Sequence, residues 1–414
     1  MNAFQTIAIL LTGAALAGYV NHCFFKLPTT IGLMVFALLL SLTGVGLNHI
    51  GLVDLSAVSA FVGTIDFTEL LLHGLLSLLL FAGAMHIDLD ELRNVRGAVA
   101  LLASVGVVIS AAVTALLVWT VANLLGYTLP FLYALLFGAL IAPTDPIAVL
   151  SILKTTNISK RLYAKIGGES LFNDGVGVVM FLAVLGIATS TQKVDAGELA
   201  VSLVRQTLGG IVLGVSLGAM TYFLLRRIDE YKVEVLLTLA LATGGYALAE
   251  GLELSAPIAM AAAGLVIGHH GRSGGMSLVT RHHLDLFWEL LDEILNAVLF
   301  MLIGLQLMVM PMSHSLFFMG AVAVVAVLVG RFVSVGIPIG LIRFVQPVSR
   351  GTIRILTWGG LRGGISIAMA LSLPSGAEKD TILAMTYIVV VFSLLVQGLT
   401  FRAVVRRVLG AKAR

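Results

Sequence analysis

The chain is poor in charge and nearly devoid of cysteine. Only 11% of its 414 residues are Asp, Glu, Lys or Arg, against roughly 25% in a soluble domain, too few for a water-facing surface. The lone Cys23 excludes an intrachain disulfide framework and every CxxC metal or redox motif. A net charge of +3 leaves no electrostatic footprint for nucleic acid. Met1–Gln5 holds no Lys or Arg, so a cleaved secretory leader is not expected and the first apolar run reads as a retained helix. Prolines are few, nine in all, which makes a closely spaced pair conspicuous.

What is abundant is apolar. Hydrophobic residues make up 59% of the chain, the mean hydropathy is +1.05, and runs of about 20 apolar residues recur, long enough to cross a hydrocarbon core of about 30 Å. The expectation is an all-α polytopic membrane protein with thirteen helices at 3–24, 28–46, 68–87, 97–123, 130–153, 165–189, 199–226, 233–250, 256–269, 284–310, 315–342, 350–372 and 379–405. Cytoplasmic loops collect Lys and Arg. With the N-terminus outside and the C-terminus inside, 20 of the 25 basic residues fall on the inner side, among them Lys160, Arg161, Arg226, Arg227, Arg402, Arg406 and Arg407. Only Lys193, Arg205 and Lys379 fall outside. The polar tail after the last run is short, so no sizeable soluble domain is expected.

Five charges remain inside predicted spans: Asp145, Glu169, Asp174, Arg331 and Arg362. A charge at the bilayer centre costs ~2.5–3.5 kcal/mol on insertion scales and is rarely without a partner or a task. In the fifth helix, Pro143 and Pro146 bracket Thr144 and Asp145. Each proline removes a backbone donor, so this helix is predicted to break there, presenting freed carbonyls and a carboxylate. A plain kink with Asp145 as a helix cap is the simpler alternative. In the sixth helix, Glu169 and Asn173 share one face, with Ser170 and Asp174 on the adjoining one. Carboxylate, hydroxyl and carbonyl oxygens suit hard cations; a packing network is the alternative.

The twelfth helix carries Gly359-Gly360-Leu361-Arg362-Gly363-Gly364, where glycines loosen the helix and admit a second backbone. If helices 1–6 and 8–13 are inverted repeats, this second interruption corresponds to the first. Paired discontinuous helices point to a midplane site in secondary transporters. Arg331 is the natural counter-ion for a buried acid, and Glu169 is assigned to it.

Thr144-Asp145-Pro146, Gly168-Glu169-Ser170 with Asn173-Asp174, Arg331, and Gly360-Leu361-Arg362-Gly363, in this order and spacing, resemble the NhaP/NHE branch of the monovalent cation:proton antiporters along essentially the whole chain. The resemblance implies a homodimer in the lipid bilayer of a cell membrane, serving pH homeostasis. Its dimerisation domain would comprise residues 1–96 and 191–311, and its transport core 97–190 and 312–414. It also implies that Asp174 alternately binds cation and proton, and that Asp145, Ser170 and the Thr144 carbonyl help coordinate the ion. Glu169 and Arg331 would pair, with Asn173 and Arg362 in the supporting network. Asn173, not a second Asp, precedes the exchanging acid, which implies electroneutral 1:1 exchange of Na⁺ or Li⁺ for H⁺. No cofactor is expected, and the large regulatory tail of animal members is not expected to apply. K⁺/H⁺ exchange is the alternative within the family and a cation channel the alternative outside it. An intramembrane hydrolase would need a nucleophile–base or metal motif that is not seen.

Weaker features include His269, His270, His282 and His283 around a predicted cytoplasmic loop, where a solvated loop competes with a pH sensor. Glu289, Asp292 and Glu293 are expected to open the tenth helix and complement its dipole. The acidic segment between Asp54 and Glu69 reads as a solvated loop or a cation funnel.

Overall fold

The computed structural model describes residues 3–52, 54, 56, 69–146, 149–150, 153, 159–189, 196–270, 277–307, 313–343 and 351–409. Most of the acidic 54–69 segment, the loop centred on 271–276 and much of the predicted fifth helix after Pro146 lie outside them, as do Lys154, Lys193, Arg272 and Arg350.

Among the described residues every regular element is helical. First come α1 (Ala3–Val20), α2 (Thr29–His49) and α3 (Leu76–Met85). Next, α4 runs Leu89–Leu124, α5 Phe131–Ile141 and α6 Lys160–Thr189. They are followed by α7 (Ala196–Leu225), α8 (Tyr231–Gly251), α9 (Ala256–His270) and α10 (Leu278–Gln306). After α11 (His314–Ile342) stand two short helices, α12 (Thr352–Trp358) and α13 (Gly364–Leu371). The last, α14, spans Ala377–Val408 through a π turn at Ser393–Gly398. Among the described residues, eight helices are long and apolar enough to cross a membrane, and three shorter apolar ones accompany them, Leu76–Met85, Phe131–Ile141 and Ala256–His269.

Caps explain where two helices begin earlier than hydropathy alone predicts. The Asp88 carboxylate accepts from the amides of Asp90 and Glu91, so α4 starts at Leu89 rather than 97. Ser277 accepts from the Thr280 amide, so α10 starts at Leu278 rather than 284. The second shift corrects the reading of Glu289, Asp292 and Glu293. They lie mid-helix, three turns or more beyond the first, where the dipole effect has faded.

Packing follows membrane rules, in which close van der Waals fit replaces the hydrophobic drive between helices. Gly210 of α7 meets the backbone of Ser255, just before α9, and Gly214 that of Ala259 on α9. A larger apolar cluster fills the space between α5, α6, α10 and α14 with Phe137, Phe181, Phe300 and Tyr387, all fully buried. Outward, Val201, Val204, Leu208, Val212 and Val215 run along α7 at three- and four-residue spacing and are all exposed. An apolar ridge of this length is at home against lipid or another apolar protein surface, not against water.

Candidate functional site

Two interrupted helices meet at the centre of the molecule. The first, α5, stops at Ile141, and the backbone is non-helical from Ala142 through Pro146. The second breaks between α12 and α13, over Gly359–Gly363. The two unwound stretches are joined directly, the Asp145 amide donating to the Leu361 carbonyl at 2.8 Å. Breaking helices at membrane depth strands polar backbone groups, each of which needs a partner. Arg362 donates from one terminal nitrogen to the Ala142 and Pro143 carbonyls, at 2.6 and 2.7 Å. Its own amide donates to Ser393 Oγ at 2.9 Å. At the end of α12, Arg331 donates to the Leu356 carbonyl and Gln397 to that of Trp358. Side chains thus cap what the breaks expose.

Glycine is required where these side chains approach. A Cβ on Gly360 would run into the Arg331 guanidinium, and one on Gly363 into the Asp145 carboxylate. The glycines around Arg362 therefore make room for two charged groups as well as for a second backbone.

All eight residues singled out in the sequence are brought together here. Glu169 and Arg331 form a two-pronged ion pair. One prong joins Arg331 Nη1 to Glu169 Oε1, the other joins Arg331 Nη2 to Glu169 Oε2 at 3.0 Å, and both side chains are almost fully buried. One turn on, Asn173 Nδ2 donates to Thr144 Oγ1 at 2.8 Å while its Oδ1 accepts from the Thr144 amide at 3.2 Å. Thr144 Oγ1 and Ser170 Oγ lie 3.0 Å apart. The unwound stretch is thereby fastened to α6. Asp174 is buried, with Asp145, Arg362 and Glu169 as its charged neighbours.

Asp145 and Asp174 both line one cavity of about 220 Å³. Its near wall is formed by Pro143 and Pro146, with Gly363 and Ser366 at the start of α13. Across from them stand Thr29 and Leu33 of α2, Leu76, Leu80 and Gly83 of α3, and Glu289, Asp292, Glu293 and Asn296 of α10. Two carboxylates beside unwound backbone and hydroxyl oxygens make a setting for a hard cation, and a carboxylate can hold a proton instead. Among the described residues no group of three or more His, Cys, Asp or Glu has metal-holding geometry.

Of the four α10 residues, the sequence singles out Glu289, Asp292 and Glu293 only as dipole partners and leaves Asn296 unmarked, although positions 289, 292, 293 and 296 have the spacing of a single helical face. The caps Ser393 and Gln397 also escaped it, because nothing local ties them to a helix end some 30 to 40 residues away.

Apolar helices in this number, with two broken ones crossing beside buried carboxylates, define a multi-pass membrane protein of the discontinuous-helix type. The chain belongs to the family described as sodium/hydrogen exchanger, transmembrane, which matches residues 10–407. It is 48% identical over 415 residues to the Na(+)/H(+) antiporter NhaP of Pseudomonas aeruginosa, covering 98% of this chain and 96% of that protein. It is 33% identical over 410 residues to the Na(+)/H(+) antiporter ApNhaP of Aphanothece halophytica, covering 98% of this chain and 74% of that one. The sodium proton antiporter MjNhaP1 from Methanocaldococcus jannaschii has the same fold, with a TM-score of 0.75, 18% identity and 99% of each chain covered.

Proposed function

We propose that the chain is a secondary active transporter that exchanges Na⁺ or Li⁺ for H⁺ in electroneutral 1:1 fashion. The observation that carries this reading is Asp174, a buried carboxylate facing a cavity where two broken helices cross. The names of the relatives, one of them 48% identical along nearly the whole chain, support Na⁺ and H⁺ as the ions exchanged.

In this reading Asp174 is the exchanging group, protonated or cation-bound but not both. Asp145, Ser170 and the Thr144 carbonyl supply the remaining oxygens. Glu169 is committed to Arg331 and takes no part in the exchange, and Asn173 and Arg362 hold the first break in shape. The chain is a homodimer with thirteen spans, its N-terminus outside and its C-terminus in the cytoplasm. Residues 1–96 and 191–311 form the dimerising part, 97–190 and 312–414 the moving core. The cavity then lies between the two parts. Its wall residues Ile87, Leu150, Tyr163 and Glu289 belong to the cytoplasmic half, so this conformation is open inward.

The test is cation-driven collapse of a pH gradient in proteoliposomes containing the purified protein. Asp174→Asn and Asp174→Ala should reduce exchange to the protein-free background. Clamping the voltage with valinomycin and K⁺ should leave the wild-type rate unchanged. Exchange at the wild-type rate without the Asp174 carboxyl would overturn the mechanism, and marked acceleration under the clamp would overturn the stoichiometry. A response to K⁺ alone would reassign the cation.

A further inference from the structure

One polar stripe has no part in the exchange chemistry described so far. Glu289, Asp292, Glu293 and Asn296 follow one another at spacings of three and four residues along α10, and all four line the cavity that reaches Asp145 and Asp174. Among the described residues no Lys or Arg lines it, and the one histidine that does, His86, engages the Ala82 carbonyl through Nδ1 at 2.7 Å. An acidic wall on its own would only attract cations through space.

Asn296 adds something more specific. The residue is 1% exposed. Its Nδ2 donates to the Asp292 carbonyl at 2.8 Å, which fixes the orientation of the amide, because the reversed amide would set two acceptors against each other. Its Oδ1 is then a buried acceptor with no partner among the described residues, and orphans of this kind call for an explanation. The polar side chains nearest along its helix face are carboxylates, which cannot donate to it when ionised. A hard cation satisfies both kinds of oxygen at once.

From this we propose that Asn296 Oδ1, with the carboxylates of Asp292 and Glu293 one turn away, forms an outer station for the transported monovalent cation. There the ion exchanges part of its water for protein oxygen before it reaches Asp145 and Asp174. The station rests on the exchange reading and adds a second binding position to it, on the helix facing the broken pair.

The test is Na⁺-dependent exchange in proteoliposomes with Asn296→Ala and Asn296→Asp. Both variants delete the Nδ2 donor, but only Asn296→Asp keeps an oxygen at the Oδ1 position. Asn296→Ala should raise the Na⁺ KM roughly tenfold, the effect of losing one hydrogen-bond-strength contact to a charge, with the maximal rate affected much less. Asn296→Asp should keep a KM near that of wild type. A wild-type KM for Asn296→Ala overturns the proposal, and so does equal damage from both variants, which would assign Asn296 to helix packing through Nδ2. Should Asn296→Ala fail to fold, Asn296→Ser is its replacement, with binding of radioactive sodium to purified protein as a second measurement. In an Asp174→Asn background, residual binding should fall on adding the Asn296 change; equal binding overturns the station. If wild type exchanges no cation, the exchange reading itself has failed, and the binding measurement still decides whether the station exists.

Discussion

Arg331→Ala is the change whose consequences can be worked most fully from the geometry. The guanidinium bonds twice to Glu169 and caps the Leu356 carbonyl at the end of α12. Both members of the pair are almost fully buried, so truncation strands an acid and a helix end together. Removing one partner of a buried pair costs ~3–5 kcal/mol, and the orphaned carbonyl adds ~1–3 kcal/mol. At the usual per-residue unfolding entropy, a chain of this length loses about 1 °C of Tm per kcal/mol, so the apparent Tm in detergent should fall by about 4–8 °C, with lower yield. Arg331→Met combined with Glu169→Met leaves no stranded charge, only the uncapped carbonyl, and should be markedly more stable than Arg331→Met alone. The assay is fluorescence-detected size exclusion after graded heating, over the full double-mutant cycle. Additive effects of the two changes, or a well-expressed Arg331→Ala melting within about 1 °C of wild type, would refute the reasoning.

Gly363→Ala has an extended backbone that any residue can adopt, yet its Cβ would displace the Asp145 carboxylate. We expect an overpacking cost of ~1–3 kcal/mol and a raised Na⁺ KM with expression retained, checked by exchange assays beside Gly244→Ala on α8, whose Cβ would meet nothing. Thr144→Val keeps the shape but leaves the buried Asn173 amide without its 2.8 Å acceptor; it should cost ~1–3 kcal/mol in a thermal melt, and Thr144→Ser should recover most of it. In the loop between α7 and α8, hydrogen bonds from Ser277 and Thr280 hold the Asp229 carboxyl below the usual carboxylate range. Its stabilising contribution is therefore full above the unfolded value of about 3.9 and lost as pH falls through the folded value. The difference in proteolytic susceptibility of this loop between wild type and Asp229→Asn should be present at about pH 6 and should shrink in protein treated at about pH 3.

Much of the centre was legible because prolines, glycines and charges are rare events in apolar helices. Pro143 and Pro146 predict the first break, and the glycines beside Arg362 mark the second. The choice of Glu169 for Arg331 agrees with the geometry, although spacing alone could not exclude another acid. What stayed hidden depends on distant contacts. Nothing near Arg362 announces that it grips the carbonyls of Ala142 and Pro143, more than 200 residues away. Hydropathy placed the start of α10 too late because its first turns carry Thr280, Arg281, His282 and His283, whereas the Ser277 cap sets the real beginning. With the start misplaced, the acidic residues of that helix were read as dipole partners when they are cavity wall.

The scarcity of thiols noted at the outset has an experimental use. Cys23 is exposed on the π turn that closes α1, and no other residue competes for a maleimide. A spin label or fluorophore therefore attaches at one address without prior mutagenesis. In a two-fold symmetric assembly that address occurs twice, so pulsed electron resonance would read a single inter-subunit separation.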